Sequence, residues 1–433
     1  MTVTIIGAGL AGVEAANTLS RNGIKVRLYE MKPQKYSPAH KYHGFAELVC
    51  SNSLKADRLS TAGGLLKAEM RLLGSLTLEA AALTKVPAGG ALAVDRVAFS
   101  DEITRRIKSD PNIELFTDEV AVFPEKNAII ATGPLTSDKF AYAIKQRVGD
   151  FLSFYDAAAP IFTAESIDME KAFMAARYGR GDDDYINCPF TQDEYDTFYN
   201  ALIAAETAPL HDIDIDAVLH TPNYYEGCMP VEVLAKRGRD SLRFGCMKPV
   251  GLVDPRTGKR PYANLQLRKE NSEGTIYNIV GFQTNLKFGE QKRVFSLIPG
   301  CEEAEFVRYG VMHRNTFLKS PQLLDNNFML RGSDNIYFAG QITGVEGYME
   351  SAASGIIAAL CLCGKIRNKR LYLPRTSIVG ALANYISDES VVNYQPMGAS
   401  MGILPRLDEV IKGKKERYEK LAQRALEDLK KIL

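Results

Sequence analysis

The first twelve residues contain the feature that most constrains how this chain folds. An apolar stretch beginning at Val3 runs directly into a turn with Gly7, Gly9 and Gly12, and a helical pattern follows. Gly7 permits a tight turn, Gly9 lets the backbone approach a pyrophosphate, and Gly12 lets the helix pack closely on the strand. A helix starting near Leu10 would direct its positive end at the pyrophosphate. The pattern predicts the start of a dinucleotide-binding β-α-β unit.

A second strand completes this unit. It runs from Ile24 to Tyr29 and ends in Glu30, 23 residues after Gly7, where a carboxylate can accept hydrogen bonds from ribose hydroxyls. A glycine triplet alone is a weak signal, but strand, helix, second strand and terminal acid together are specific. We therefore expect the dinucleotide to contact Gly7, Ala8, Gly9, Leu10, Ala11, Gly12 and Glu30.

Two later glycine turns favour a flavin over a tightly bound nicotinamide. Residues 128–134 form a short apolar strand that leads into a glycine turn, the kind of strand end that packs beside a nucleotide. Residues 336–340 form another strand, and the turn after it opens a helix over 347–362, whose N-terminus could face an electron-rich ring. The alternative is an ordinary βα turn. The later residues expected at the cofactor are Gly133, Gly340, Gly344, Glu346 and Gly347.

The chain of 433 residues is long enough for more than one domain. Its character changes from about residue 151 to 221, with aromatic and acidic residues, and the nucleotide-binding pattern returns near residue 335. The sequence predicts an α/β fold, a Rossmann-like FAD-binding domain with an inserted α+β substrate domain. The expected parts are 1–155 for the first part of the FAD-binding domain, 156–300 for the inserted substrate or RNA domain, and 301–433 for the return with a C-terminal helix.

Bulk features bound the compartment. Seven cysteines without paired spacing suit reduced thiols better than disulfides. The sequence contains no run of about 18 apolar residues, so it predicts no membrane span. The N-terminus is expected to be a strand and not a secretory leader, which would have a charged region followed by an apolar one. We expect a cytoplasmic protein without membrane association. No metal site is expected.

Local charge differs from the net charge of +1. Between Lys236 and Lys269 lie ten basic and two acidic residues, an excess of eight positive charges. Such a stretch can follow phosphates of a nucleic acid, and Lys236, Arg237 and Arg239 are the candidate RNA contacts. An ordinary solvated surface, balanced by acids elsewhere, is an equal alternative.

Several longer strings of residues are similar to one family of enzymes. They include Cys50-Ser-Asn-Ser-Leu54, Glu226-Gly-Cys-Met-Pro230 and Ala339-Gly-Gln-Ile-Thr-Gly-Val-Glu-Gly-Tyr348. Almost end to end, the chain resembles the bacterial folate- and FAD-dependent tRNA uracil-5-methyltransferases. The two cysteine strings are specific to this group, whereas the glycine turns are shared with many flavoproteins.

The resemblance implies a reaction that uses three small molecules. In the family, 5,10-methylenetetrahydrofolate supplies a one-carbon unit, reduced FAD handles that carbon and supplies reducing equivalents, and NADPH or NADH reduces the flavin. The product is 5-methyluridine in the T-loop of tRNA, at tRNA position 54. The same reaction on a uridine of ribosomal RNA is an open alternative. The contacts to folate and to the nicotinamide cofactor, and the oligomeric state, are left open by the sequence.

The resemblance also implies two catalytic cysteines. Carbon 5 of uracil is a poor nucleophile until a thiolate adds at carbon 6. Cys228 matches the family's nucleophile, and the basic stretch that follows it favours a thiolate. Tyr224 and Tyr225 could stack on an everted base or pack in the core. Cys50 matches the family's other essential cysteine and is expected either to remove the proton from carbon 5 or to assist at the flavin.

Overall fold

The computed structural model describes residues 1–179, 182–208, 229–369, 371–391 and 394–432. These residues form sixteen strands: β1 (Thr2–Ile6), β2 (Lys25–Tyr29), β3 (Ser53–Ala56), β4 (Lys85–Val86), β5 (Ala91–Val94), β6 (Ile113–Phe116), β7 (Lys126–Ile130), β8 (Leu152–Ala157), β9 (Ile161–Thr163), β10 (Phe173–Met174), β11 (Tyr185–Phe190), β12 (Ala263–Lys269), β13 (Ile276–Ile279), β14 (Phe306–Arg308), β15 (Met312–Phe317) and β16 (Asp334–Phe338).

The same residues form thirteen α-helices: α1 (Leu10–Arg21), α2 (Ala62–Leu72), α3 (Leu76–Leu83), α4 (Arg96–Ser109), α5 (Asp138–Val148), α6 (Gln192–Ile203), α7 (Val231–Ala235), α8 (Ser241–Phe244), α9 (Phe288–Phe295), α10 (Ser320–Leu323), α11 (Tyr348–Ile366), α12 (Ile378–Ile386) and α13 (Lys414–Lys430).

A five-stranded sheet forms the centre of the first core, in the order β16-β7-β1-β2-β6 with every neighbouring pair parallel. Buried Val3 and Ile5 lie on β1, as expected of a strand with helices packed against its sheet. Helix α11 packs directly on α1, where a Cβ on Gly355 would lie 2.1 Å from the backbone oxygen of Ala11. Small residues therefore allow the two helices to approach closely.

Helix α11 also bears on the expectation about membranes. It is the one helix in the described residues that is long and apolar enough to cross a bilayer, and 78% of its most apolar window is buried inside the protein. Its apolar side chains pack in the first core. The composition of α11 is thus explained by burial between protein layers.

A second core surrounds an antiparallel sheet of six strands, in the order β10-β11-β12-β13-β9-β14. The first six residues of the central strand β12 are buried. The fully buried residues of this core lie between Phe162 and Cys301, and helices α6, α7 and α9 contribute to it. A parallel nucleotide-binding sheet and an inserted antiparallel region confirm the predicted fold class. The boundaries at 155/156 and 300/301 stay predictions; β14, the last strand of the antiparallel sheet, ends at Arg308.

Two buried carboxylates bind helix ends in the first core. Glu14 accepts hydrogen bonds from the first two backbone N–H groups of α3, at 3.0 and 2.9 Å. Glu69 accepts from the first two N–H groups of α12, at 2.8 and 3.0 Å. These N–H groups have no partner within their own helix, so the carboxylates satisfy them. Burial raises the pKa of both side chains, that of Glu69 to about 8.

Candidate active site

A cavity of about 450 Å³ opens at the carboxyl ends of the parallel strands. Gly7 follows β1, Glu30 follows β2, Ala131 follows β7 and Gly340 lies just after β16, and all four line the cavity. Ligands of open parallel sheets bind at this edge, outside the carboxyl ends of the strands. The topology therefore places the dinucleotide motif and the late glycine turn around one space.

Ten of the twelve residues expected at the cofactor line this cavity: Gly7, Ala8, Gly9, Leu10, Ala11, Glu30, Gly133, Gly340, Glu346 and Gly347. Gly12 and Gly344 do not. A Cβ on Gly12 would lie 1.8 Å from the backbone oxygen of Gly7, and one on Gly344 would lie 2.2 Å from the hydroxyl of Tyr394. Both glycines lie where other parts of the protein approach closely, so their place is in packing rather than in the cavity wall.

The first glycine turn leaves room for a ligand. Gly7 has a φ of +98°, and a Cβ there would meet backbone of Ala131 at 2.6 Å, so only glycine fits. No atom lies within 4 Å of a Cβ placed on Gly9. The carboxylate of Glu30 accepts hydrogen bonds from the N–H groups of Ala8, at 2.8 Å, and Lys32, at 3.1 Å. This ties the end of β2 to the turn and holds Glu30 at the cavity.

The long loop after β2 adds polar groups that the sequence pattern did not indicate. Lys32 is buried, and its Nζ donates to the backbone oxygens of Gly44, at 2.5 Å, and Tyr42, at 3.1 Å. The hydroxyl of Ser37 lies 2.6 Å from Nδ1 of His40, and burial lowers the pKa of this histidine. Lys32, Ser37 and His40 all line the cavity. The local sequence carries no repeat or motif that marks them, because the loop's folding brings them together.

Cys50 lines the same cavity. It is distant in sequence from the turn that contains Gly347 but lies next to that turn in space. The hydroxyl oxygen of Tyr348, the first residue of α11, accepts hydrogen bonds from the N–H groups of Cys50, at 2.8 Å, and Ser51, at 3.2 Å. The same oxygen lies 2.9 Å from Sγ of Cys50. The pKa of Tyr348 is raised well above its ordinary value, mainly by burial and to a smaller extent by the charge of Cys50. Tyr348 therefore positions the thiol at the cavity wall.

Two arginines bind the backbone and side chains around Cys50. Arg96, at the start of α4, donates from Nη1 to the backbone oxygens of Leu48 and Val49, at 2.8 and 3.0 Å. Arg268, on β12, donates to Oδ1 of Asn52 at 2.9 Å and to the hydroxyl of Ser51 at 2.8 Å. Arg96 and Arg268 thus connect the loop from Leu48 to Asn52, called the thiol loop below, to both cores of the protein.

The basic stretch is less uniform than its sequence suggests. Arg268 is 6% exposed, so one of the ten basic residues is buried against the thiol loop and is not part of an outer face. Arg239 forms an ion pair with Asp196, an acid from outside the stretch, and Lys236 and Arg237 are exposed. Arg243 and Arg256 pair with Asp240 and Asp254. The excess of eight positive charges is therefore an overestimate for the surface, and RNA binding by Lys236, Arg237 and Arg239 stays a prediction.

Cys228, Tyr224 and Tyr225 lie outside the described residues. The described residues on either side of them form backbone hydrogen bonds to the same short segment, residues 283–285. The N–H of Ala208 donates to the backbone oxygen of Asn285 at 2.7 Å, and the N–H of Val231 donates to that of Gln283 at 2.7 Å. Gln283 lines the cavity.

The other cysteines that the structure describes are buried or half-buried, and none is joined in a disulfide. Sγ of Cys188 lies 4.0 Å from Sγ of Cys301 in the second core, and Cys361 and Cys363 lie on α11. In the same described ranges, no three His, Cys, Asp or Glu side chains come together as a metal site requires. Among the thiols in these ranges, Cys50 is the one that lines the cavity.

Comparison with known proteins defines the class. Residues 2–370 match the family described as glucose inhibited division protein A. The structure of Aquifex aeolicus GidA in its form I crystal is similar over 100% of this chain and 76% of that chain, with a TM-score of 0.70 and 15% sequence identity, which shows a common fold. The chain belongs to this family of Rossmann-type flavoprotein folds.

Closer relatives identify the group within that class. The methylenetetrahydrofolate–tRNA-(uracil-5-)-methyltransferase TrmFO of Acetivibrio thermocellus is 57% identical, over 100% of this chain and 98% of the relative. The protein of the same name from Desulforamulus reducens is 56% identical, over 99% of this chain and 96% of the relative. The chain belongs to the methylenetetrahydrofolate–tRNA-(uracil-5-)-methyltransferase family, and the resemblance inferred from its motifs is confirmed.

Proposed function

We propose that this protein transfers a one-carbon unit from 5,10-methylenetetrahydrofolate, with reduction through FAD, to carbon 5 of the uridine at T-loop position 54 of tRNA. One structural observation carries the proposal: the thiol of Cys50 lines the same cavity as the Gly7 turn and the Gly340 turn. The full-length similarity to enzymes named for this reaction supports it. The proposed compartment is the cytoplasm, and NADPH or NADH is the proposed reductant.

The residues of the cavity fit FAD. Its pyrophosphate would lie against the turn from Gly7 to Ala11, where the N-terminus of α1 and the open space over Gly9 suit a charged group. Glu30 would bind the ribose. Gly340 and Gly347 would lie beside the isoalloxazine, at the N-terminus of α11. Bound there, FAD would supply the reducing equivalents and handle the one-carbon unit.

Cys228 is the proposed nucleophile. Its sulfur would form a bond to carbon 6 of the uracil, and the displaced electron pair would make carbon 5 an enolate carbon that attacks the one-carbon unit. Val231, three residues after Cys228, is hydrogen-bonded to Gln283, which lines the cavity. Three residues of extended chain span about 11 Å. This reach supports a shared site for Cys228 and Cys50.

Cys50 is the proposed base for the proton on carbon 5. Its Sγ is held at the cavity wall by Tyr348, and its loop is held by Arg96 and Arg268. The groups proposed to contact the tRNA backbone are Lys236, Arg237 and Arg239. Neutralising them should weaken tRNA binding and reduce its salt dependence without changing the bound flavin.

The deciding experiment uses purified protein with reduced flavin, labelled methylenetetrahydrofolate and an unmodified tRNA transcript. Label in 5-methyluridine at position 54 is expected, and a transcript with cytidine at that position is the matched control. An unmodified ribosomal RNA transcript serves as the second substrate. Label in ribosomal RNA but not in tRNA would contradict the proposed substrate, and label in neither RNA would contradict the proposed reaction.

A further inference from the structure

An excess of positive charge surrounds the thiol of Cys50. Arg96 from α4, Arg268 from β12 and Arg308 from β14 all lie close enough to this thiol to interact with its charge. Among the described residues, Glu270, which follows β12 and is 2% exposed, is the acid that interacts with all three. Three guanidinium groups against one carboxylate leave a formal excess of two positive charges.

Two of these arginines have protein partners that explain their positions. Nε and Nη2 of Arg96 donate to the two carboxylate oxygens of Glu270, at 2.5 and 3.1 Å. Arg268 donates to Asn52 and Ser51 in the thiol loop. Their charges are therefore fixed beside Cys50 by hydrogen bonds, and neither can turn away to solvent without breaking them.

Arg308 has no such explanation. Its Nε and Nη2 atoms are buried and have no hydrogen-bond partner among the residues that the structure describes. An arginine stays charged in a protein, and leaving its donors buried without acceptors costs stability. A merely structural residue at this position would be expected to have an acceptor or to be apolar. An anion close by offsets the cost of the buried charge, and Cys50 is a neighbouring group that can supply one.

We propose that Arg308 is a positioning residue that, together with Arg96 and Arg268, holds Cys50 as a thiolate in the resting enzyme. The hydroxyl of Tyr348 is also in contact with Sγ and can donate to a thiolate. Lys55, also at the cavity, is paired with Glu350.

This inference rests on the proposed function of Cys50 as a base. As the C5–H bond of the thiol-bound uracil breaks, the proton goes to Sγ of Cys50. The electron pair of that bond stays on the ring as an enolate, so the charge moves from sulfur to the pyrimidine and no further reactant is required. A sulfur that is already ionised before the RNA binds can accept the proton without first losing its own.

The test compares Arg308→Met, which removes the charge, with Arg308→Lys, which keeps it. The rate of alkylation of Cys50 by iodoacetamide is measured against pH in the flavin-loaded protein, by mass spectrometry of the Cys50 peptide. Arg308→Met should shift this profile upward by about one pH unit, which lowers alkylation by about tenfold at pH values below the midpoints of both profiles. Arg308→Lys should shift it much less. Arg293→Met, which removes an exposed arginine paired with Glu290, should leave the profile unchanged.

Thermal unfolding provides the second readout. Arg308→Met should stay folded with a Tm close to that of the wild type, because the loss of a buried guanidinium without hydrogen-bond acceptors and the loss of its attraction for the thiolate act in opposite directions. An unchanged alkylation profile would overturn the proposal, and so would a Met variant that unfolds or loses flavin, since those results assign Arg308 to structure. Normal methyl transfer by Cys50→Ala, with the arginine dependence of alkylation intact, would instead refute the proposed role of Cys50 and leave the electrostatic inference standing.

Discussion

Replacing Tyr348 by Phe removes one oxygen atom from the candidate active site. That oxygen accepts hydrogen bonds from the N–H groups of Cys50 and Ser51, at 2.8 and 3.2 Å, and lies 2.9 Å from Sγ of Cys50. A buried N–H without an acceptor costs about 1–3 kcal/mol. Both residues are half-buried beside a cavity, so water can replace part of the loss, and we expect a total of about 1–2 kcal/mol.

The effect of Tyr348→Phe on the reaction should exceed its effect on stability. A reacting group displaced by about 1 Å can lose a hundredfold in rate, and the hydroxyl is a direct contact of the thiol. We expect transfer of label from methylenetetrahydrofolate to tRNA to fall by about a hundredfold, with the flavin absorbance of the purified protein retained.

The matched control for this prediction is Tyr142→Phe, which removes the hydroxyl of an exposed tyrosine on α5 and should change neither property. Wild-type turnover by Tyr348→Phe would refute the reasoning, because the thiol would then be positioned without the hydroxyl. A variant that loses flavin as well as turnover would show that Tyr348 holds the cavity rather than the thiol.

Three further predictions concern the two proposed catalytic cysteines, the glycines of the first turn and Glu69. Cys228→Ala should abolish the covalent adduct with RNA that contains 5-fluorouracil, whereas Cys50→Ala should keep its flavin and lose methyl transfer; an adduct in the first variant or normal turnover in the second would contradict these roles. Gly12→Ala should destabilise the protein by about 3 kcal/mol, because its Cβ would overlap backbone 1.8 Å away, whereas Gly9→Ala should unfold normally in denaturant but bind FAD more weakly. Glu69 has a pKa of about 8 in the folded protein, above its ordinary value of 4.5, so its contribution to stability is present below about pH 4.5 and is lost as the pH rises through about 8. Glu69→Gln should therefore flatten the change in Tm between pH 5 and pH 8, and an unchanged profile would mean that Glu69 does not titrate in this range.

The parallel sheet and its cofactor edge were predictable because their signals are local. The strand from Thr2 to Ile6, the glycine turn and helix α1 are contiguous, and each element has its own hydrophobic period. The turn at Gly340 could be assigned to the same edge because it also follows a strand. Gly12 and Gly344 do not line the cavity, because Gly7 backbone and the Tyr394 side chain lie against them, and a role of these two glycines at the cofactor stays a prediction.

The thiol environment was not predictable in the same way. Tyr348 and Cys50 are 298 residues apart, and Arg268 and Ser51 are 217 apart. Arg268 was counted with an exposed basic stretch because charge along the sequence does not reveal which side of a strand faces inward. It lies on β12, a strand that is buried on both faces, and its guanidinium donates to the hydroxyl of Ser51.

By itself, the sequence determined the class of fold, the edge of the sheet where a dinucleotide binds and, through its motifs, the enzyme family. Glycine spacing and strand-helix alternation constrain the backbone within a few residues, so these features need no distant partner. Only the tertiary structure decided that Arg96, Arg268 and Arg308 lie near Cys50, with Glu270 as the acid that interacts with all three in the described part of the chain. Such a charge balance depends on side chains from three separate elements and one loop meeting in one low-dielectric space, and no local pattern encodes that meeting.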